Sequence, residues 1–265
     1  MSRLPAPSAP ASTLLAGLRG VRRAVAVVAH PDDESFGLGG VIGVLVDHGV
    51  AVDVLCLSHG EASTLGAGSI QGTVTDLGQV RVQELRAAAA VLGVGRVWLH
   101  DLPDGNLAGH RDRIAVVVDA AVAGADAVVV FEASGVTGHP DHVAATAAAL
   151  GAAHRRGMAT IEWGVPPAVA SQIADELGVP FAGLSGPGVV AVHVDRARQR
   201  AAAALHVTQA TGNPVLERRL ELQGDVDHVR IGGPVGGVAR WRHPDGLTVT
   251  TREGPNGPGL AVGSG

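Results

Sequence analysis

An apolar run, Ala24 to Ala29, breaks off directly into His30-Pro31-Asp32-Asp33-Glu34. Short apolar runs bounded in this way read as buried strands. The residues that follow this one are those that bind or use a divalent metal. The same junction recurs later, where Ala127 to Phe131 is followed by Gly138-His139-Pro140-Asp141-His142. In an open parallel sheet the carboxyl ends of the strands lie on one edge, so segments distant in sequence meet there in one crevice. Two such clusters behind two strands therefore point to a single site.

The order of elements agrees with that architecture. Strands at Ala24–Ala29, Ala51–Leu57, Arg96–Leu99 and Ala127–Phe131 alternate with helices expected over Ser35–His48, around Arg81, near Asp112–Ala123 and over Pro140–Arg156. This predicts an α/β chain, Rossmann-like, with a mostly parallel sheet, helices on both faces and the site at the carboxyl ends of the strands. Beyond it, Trp163-Gly164-Val165-Pro166-Pro167 reads as a strand end and turn opening a helix over Ala168–Leu177. A late strand is expected at Val189–Val194 and an Ala-rich helix over Asp195–His206. From Gly224 onward glycine and proline are dense. Residues 1–18 read as a loose amino-terminal arm, 19–253 as one domain and 254–265 as a flexible tail. Ser63 to Gly78, long and weakly patterned, reads as a loop over the site.

The chemistry of the two clusters is specific. His30, Asp33 and His142 can supply two imidazoles and one carboxylate to one ion; nitrogen and oxygen donors of this kind suit Zn2+, and three protein ligands leave a position open for water. Asp32 and His139 are then left over. A metal-activated water needs a general base beside it and a donor facing the oxygen that becomes negative, and the two surplus residues match those roles. Asp141 and Glu34 are expected behind the ligands, orienting them.

Ala29-His30-Pro31-Asp32-Asp33-Glu34 with the later Gly138-His139-Pro140-Asp141-His142 resembles the PIG-L (LmbE-like) zinc de-N-acetylases, which remove acetyl groups from N-acetylated amino sugars. The resemblance implies His30, Asp33 and His142 as zinc ligands, Asp32 as general base and His139 as the group that stabilises the oxyanion. Arg81-Val82-Gln83-Glu84-Leu85 is similar to that family's Arg-x-x-Glu-Leu helix, Leu102-Pro103-Asp104-Gly105 to its turn near the substrate, and His206-Val207-Thr208-Gln209 to its late His-x-Ser-Gln element. Arg81, Asp104 and His206 are thereby expected at the substrate. Some relatives place a Tyr two residues before the first His of the second cluster; here that residue is Thr137, and the chain has no Tyr.

Plainer readings stand beside these. Asp32 or Asp33 could cap a helix; Arg81 and Glu84, three apart, could be a local ion pair; His206 could simply be packed; Asp104 suits an ordinary Pro-Asp-Gly turn. His59, His100, His110 and His243 read as structural or exposed. The Gly37-Leu38-Gly39-Gly40-Val41-Ile42-Gly43 stretch looks like a dinucleotide fingerprint, but its third glycine is displaced and the strand-to-helix turn is already occupied, so close helix packing is the better reading. No Gly-x-Ser-x-Gly elbow is present for a serine hydrolase.

Composition narrows the partners. With 20 basic against 25 acidic residues the formal charge is −5, which argues against nucleic acid. No apolar run reaches membrane-spanning length, no leader pattern opens the sequence, and the single Cys56 lies in an apolar run, so a cytoplasmic enzyme without disulfides is expected. The expected partner is a small amino-sugar substrate, and a homo-oligomer is compatible with the sequence. The reading is a zinc-dependent amidase acting on an N-acyl amino sugar. An amidase for a larger sugar or thiol conjugate, and a metal-binding scaffold without catalysis, are the alternatives.

Overall fold

A computed structural model describes residues 18, 20–63 and 76–233 in full and, beyond them, the backbone of three short strands. Strand β1 (Arg23–Val28) is followed by α1 (Asp33–Phe36), α2 (Gly39–Asp47), β2 (Ala51–Cys56), α3 (Leu77–Leu92), β3 (Val97–Leu99), α4 (Arg111–Ala121) and β4 (Ala127–Phe131). A single turn, Gly135–Gly138, leads into α5 (Pro140–Arg156), then β5 (Ala159–Gly164), α6 (Pro167–Leu177), β6 (Val189–His193), α7 (Arg196–Ala203), α8 (Val207–Ala210), α9 (Pro214–Gln223) and β7 (Val226–Gly232). Strands β8 (Arg240–Arg242), β9 (Thr248–Arg252) and β10 (Gly259–Val262) form a separate antiparallel sheet.

The main sheet has seven strands in the order β3-β2-β1-β4-β5-β7-β6. The pairings from β3 through β5 are parallel, while β7 runs antiparallel to both β5 and β6. Sequence order reverses at β1, which lies between β2 and β4. The carboxyl ends of β1 and β4 therefore border the crevice where such folds place ligands.

Alternate residues of β1 serve opposite faces. Ala24, Ala26 and Val28 join one core cluster with Leu45 of α2 and Leu85 of α3; Val25, Val27 and Ala29 join another with Ile114 of α4 and Ala149 of α5. Both faces are covered, which is why β1 and β4 read as continuous apolar runs. Cys56 is a buried free thiol, and no helix among the described residues is long and apolar enough to cross a membrane.

The structure corrects several expectations. The helix expected over Ser35–His48 is two helices, because the amides of Gly37 and Leu38 both turn back to Asp33 O and the helix restarts at Gly39. The helix expected over Asp195–His206 ends at Ala203, and His206 instead begins the short α8. The stretch after Gly224 holds a strand, β7. Its apolar signal is broken by Asp227, a fully buried carboxylate held by Arg196 Nη2 at 2.8 Å. Of the amino-terminal arm only Leu18 is described, and it packs in the core. Within the segment expected to be a tail, Gly259–Val262 forms β10. Residues 64–75 of the expected loop, the rest of the arm and tail, and His243 lie outside the described residues.

The glycines of α2 are there for close packing. A Cβ on Gly40 would collide with Asp227 Oδ2 and approach Val194 Cγ1 at 3.0 Å, whereas one on Gly43 would meet only the flexible Arg198 guanidinium, at 3.4 Å. Gly40→Ala should therefore cost about 1–3 kcal/mol through overpacking. Gly43→Ala should be neutral or gain up to about 1 kcal/mol from helix propensity. Urea-unfolding midpoints of the two variants check this, and equal losses would contradict it.

Candidate metal-dependent active site

β1 delivers His30 to the sheet edge, and α1 begins with Asp33 one short turn later. β4 delivers the Gly135–Gly138 turn, after which α5 carries His142 in its first turn. Pro140 opens that helix, and His139 caps it with Nδ1 accepting from the Asp141 amide at 3.2 Å. Adjacent parallel strands thus bring the two clusters together.

Three donor atoms converge on one point. His30 Nδ1 lies 3.2 Å from His142 Nε2, His142 Nε2 lies 3.2 Å from Asp33 Oδ1, and His30 Nδ1 lies 3.7 Å from Asp33 Oδ2. Ligands bound at about 2.0–2.1 Å in a tetrahedron stand roughly 3.3 Å apart, so the spacing fits one divalent ion. The far side of each group explains its orientation. His30 Nε2 faces Asp104 Oδ1 at 3.0 Å and Asp141 Oδ2 at 3.3 Å, and His142 Nδ1 donates to Gly135 O at 3.1 Å. With their N–H groups committed outward, both rings turn lone pairs inward, as metal-binding histidines do. Asp33 is fixed by the amides of Ala29 and His30. A second grouping, His30 with His139 and Asp141, also lies within ligand spacing. It competes poorly, because Asp141 already accepts the amides of Gly105 and Leu107 and faces the Nε2 that would have to ligate.

The electrostatics favour a cation at this point. Burial alone would depress His30, but Asp104, Asp141 and Asp33 outweigh it and raise its pKa to about 10. His142 is raised likewise, Asp33 overcoming its burial. Burial would raise Asp33, yet His142 and His30 hold it well below the usual carboxylate range. A bound ion supplies the same positive charge that these carboxylates otherwise draw from protons.

Asp32 and His139 line the same cleft of about 360 Å³. Asp32 adopts φ 134°, a conformation costing an L-residue on the order of 1–3 kcal/mol. It is held there by Arg81 Nη2 on its carboxylate at 2.9 Å and by its own amide donating to Glu34 Oε2 at 3.0 Å. Burial pushes its pKa up to about 6 against the pull of Arg81, with Asp33 adding to the rise. His139 is pushed down by desolvation and by the other two imidazoles. Its capping bond leaves Nε2 as the proton-bearing nitrogen, a donor.

The residues expected at the substrate divide differently. Arg81 borders the cleft, but its guanidinium is committed to Asp32, Pro31 O and Gly60 O. Asp104 also borders it, yet its carboxylate serves His30 and the Ala62 amide. His206, expected at the substrate, is fully buried, with Nε2 at 2.7 Å from the equally buried Glu34. Nor do Arg81 and Glu84 pair with each other: Glu84 accepts from Thr208 N and Oγ1 at 2.9 and 2.7 Å. What the cleft presents instead includes Phe36, Ser63, Gln209 and Asn213. Gln209 closes the element that begins at His206, a signal that was in the sequence; Phe36 and Asn213 carried none.

Residues 25–153 match the family model described as PIG-L, GlcNAc-PI de-N-acetylase. A 1D-myo-inositol 2-acetamido-2-deoxy-alpha-D-glucopyranoside deacetylase from Nakamurella multipartita is 30% identical over 232 residues, covering 71% of this chain and 79% of that protein. The enzyme of the same name from Actinosynnema mirum is 35% identical over 148 residues, 46% of this chain and 52% of its own, so the chain matches about half of that relative's length. The crystal structure of the A40926 pseudoaglycone deacetylase superposes with a TM-score of 0.62 over 82% of this chain and 99% of its own, at 22% identity.

The burial of His206 generates a test. His206→Ala strands the Glu34 carboxylate in the interior, which typically costs about 3–5 kcal/mol. His206→Gln, which keeps a donor, should recover part of the loss. Denaturant unfolding reads both; unchanged stability with a raised KM would instead return His206 to the substrate.

Proposed function

Because the chain belongs to the GlcNAc-PI de-N-acetylase (PIG-L) family, we propose that it is a zinc-dependent hydrolase that removes an N-acetyl group from an amino-sugar-containing small molecule. The observation that carries the reading is the convergence of His30, Asp33 and His142 with Asp32 and His139 in one cleft. A metal-binding scaffold needs the first three and has no use for the last two. The Nakamurella multipartita and Actinosynnema mirum relatives are named for a 2-acetamido sugar linked to inositol, which supports a substrate of that class.

His30, Asp33 and His142 would hold the ion, whose chemistry is to polarise the amide carbonyl and make a bound water acidic. The remaining work falls to the chain's own groups. Asp32, lifted toward neutrality by burial and steadied by Arg81, takes the proton of the attacking water. His139 donates from Nε2 to the carbonyl oxygen as it becomes negative. The C–N bond then breaks, and the nitrogen receives a proton from Asp32 or His139, leaving acetate and a free amine. Asp104 and Asp141 hold the His30 ring in register throughout.

Purified protein should carry about one zinc per chain, and His142→Ala should lose most of it. Asp32→Asn should keep the metal and the fold while turnover falls by about two to four orders of magnitude. His139→Ala should keep the metal and lose about a hundredfold in kcat with KM little changed. Metal analysis together with acetate release from N-acetylated glucosaminides checks all three. Metal-loaded protein that releases no acetate from any of them would remove the deacetylase reading.

A further inference from the structure

The chain holds three Phe, three Trp and no Tyr. All three phenylalanines, Phe36, Phe131 and Phe181, together with Trp163, line one pocket of about 310 Å³ beside the candidate metal site. This pocket shares Asp33, Phe36, His142 and Asn213 with the polar cleft, so the two open from the same corner. Two of the rings, Phe36 and Phe181, are only half-buried, so they are not simply core. Gly37 makes room for the arrangement: a Cβ there would collide with the Phe131 ring. Arg219 borders the pocket too, but its guanidinium is engaged by Phe36 O and Gln223 and lies over the Trp163 ring, 5.2 Å from its centroid. It braces the aromatic wall.

An amide held at the candidate metal has two substituents that leave the carbonyl region in different directions. The amine-bearing sugar is rich in hydroxyls and suits the polar cleft lined by Ser63 and Gln209. The acyl group is left for the other opening. An apolar cavity of roughly 150 Å³ already accommodates a benzene-sized guest, and an acetyl methyl would leave most of this one unfilled.

We propose that the Phe36–Phe131–Trp163–Phe181 pocket is an acyl subsite, and that the enzyme accepts linear or aryl N-acyl groups larger than acetyl. The inference rests on the amidase reading above. The reaction is the same hydrolysis: water adds to the carbonyl carbon, the C–N bond breaks, the nitrogen takes the proton, and a longer carboxylate leaves.

Two measurements on the zinc-loaded full chain test it. In the first, kcat/KM is compared for N-acetyl-, N-butanoyl- and N-hexanoyl-glucosamine. Burial of the added methylenes should raise it by about tenfold or more from acetyl to hexanoyl. Val215→Trp, which fills the pocket from its half-buried rim, should bring the hexanoyl-to-acetyl ratio to about one or below. Val116→Trp, at a site 70% exposed on α4, should leave the ratio as it was. In the second, calorimetry compares hexanoate with acetate as ligands, expecting about tenfold tighter binding of hexanoate or better. That measurement needs no turnover, so it decides the subsite even if no amide is cleaved and the amidase reading fails. Hexanoate binding within about twofold of acetate, or a ratio untouched by Val215→Trp, overturns the proposal. A rate gain for the octyl glycoside of N-acetylglucosamine without one for the hexanoyl amide overturns it as well, by assigning the pocket to the amine side.

Discussion

Two imidazole nitrogens face each other across 3.2 Å, each turned inward by the bond that its ring's other nitrogen makes on the far side. Lone pairs so placed are tolerable only with positive charge between them, and the Asp33 carboxylate beside them adds to the demand. Much of the sheet edge serves this confrontation. β1 and β4 must be neighbours for His30 and His142 to meet. The Gly135–Gly138 turn must offer a carbonyl to His142, and Gly135 must lack a Cβ, which would come within 2.8 Å of His142 Cβ. The chain after β3 must wrap Gly105 and Leu107 around Asp141.

Holding these groups costs local strain, concentrated at two residues. Asp32 sits at φ 134° and Val136 at φ 66°, the latter a conformation that is a true outlier for a β-branched side chain. Each is over-determined by buried acids nearby. Glu34 takes the Asp32 amide, and Glu132 takes the amides of Ser134 and Val136. Ala182 donates to Val136 O at 2.6 Å, tying the turn to a segment from beyond α6. Strain at these points aims the Asp32 carboxylate and sets the turn that precedes His139, which is where pre-organisation matters to a reaction.

A layer of polar side chains lies beneath the site, with Arg81 at the wall of the cleft. Arg81, Glu84, Glu34 and His206 are all buried, and each joins segments far apart in sequence. Arg81 links α3 to the Asp32 turn, Glu84 links α3 to α8, and His206 links the start of α8 to α1. Charges this deep must be paired. They therefore tie the late helices to the Asp32 turn, His206 reaching Glu34 and Glu34 accepting the Asp32 amide.

The local sequence determined much of this. Apolar runs that stop at His, Pro and Asp announce strands whose carboxyl ends carry chemistry, because a fully buried parallel strand has no polar face on which such residues could sit. From that the α/β class, the parallel core of the sheet and the five cleft residues His30, Asp32, Asp33, His139 and His142 were legible. Partners were not. Whether Arg81, Asp104 and His206 face a ligand or another buried side chain depends on which distant carboxylate arrives beside them, and hydrogen-bond geometry between segments separated by as many as 172 residues leaves no local pattern. The same holds for β7, whose buried Asp227 breaks the apolar signal until Arg196 is seen to neutralise it. It holds also for the aromatic pocket, because Phe36, Phe131, Trp163 and Phe181 lie on four separate segments that only the fold draws together.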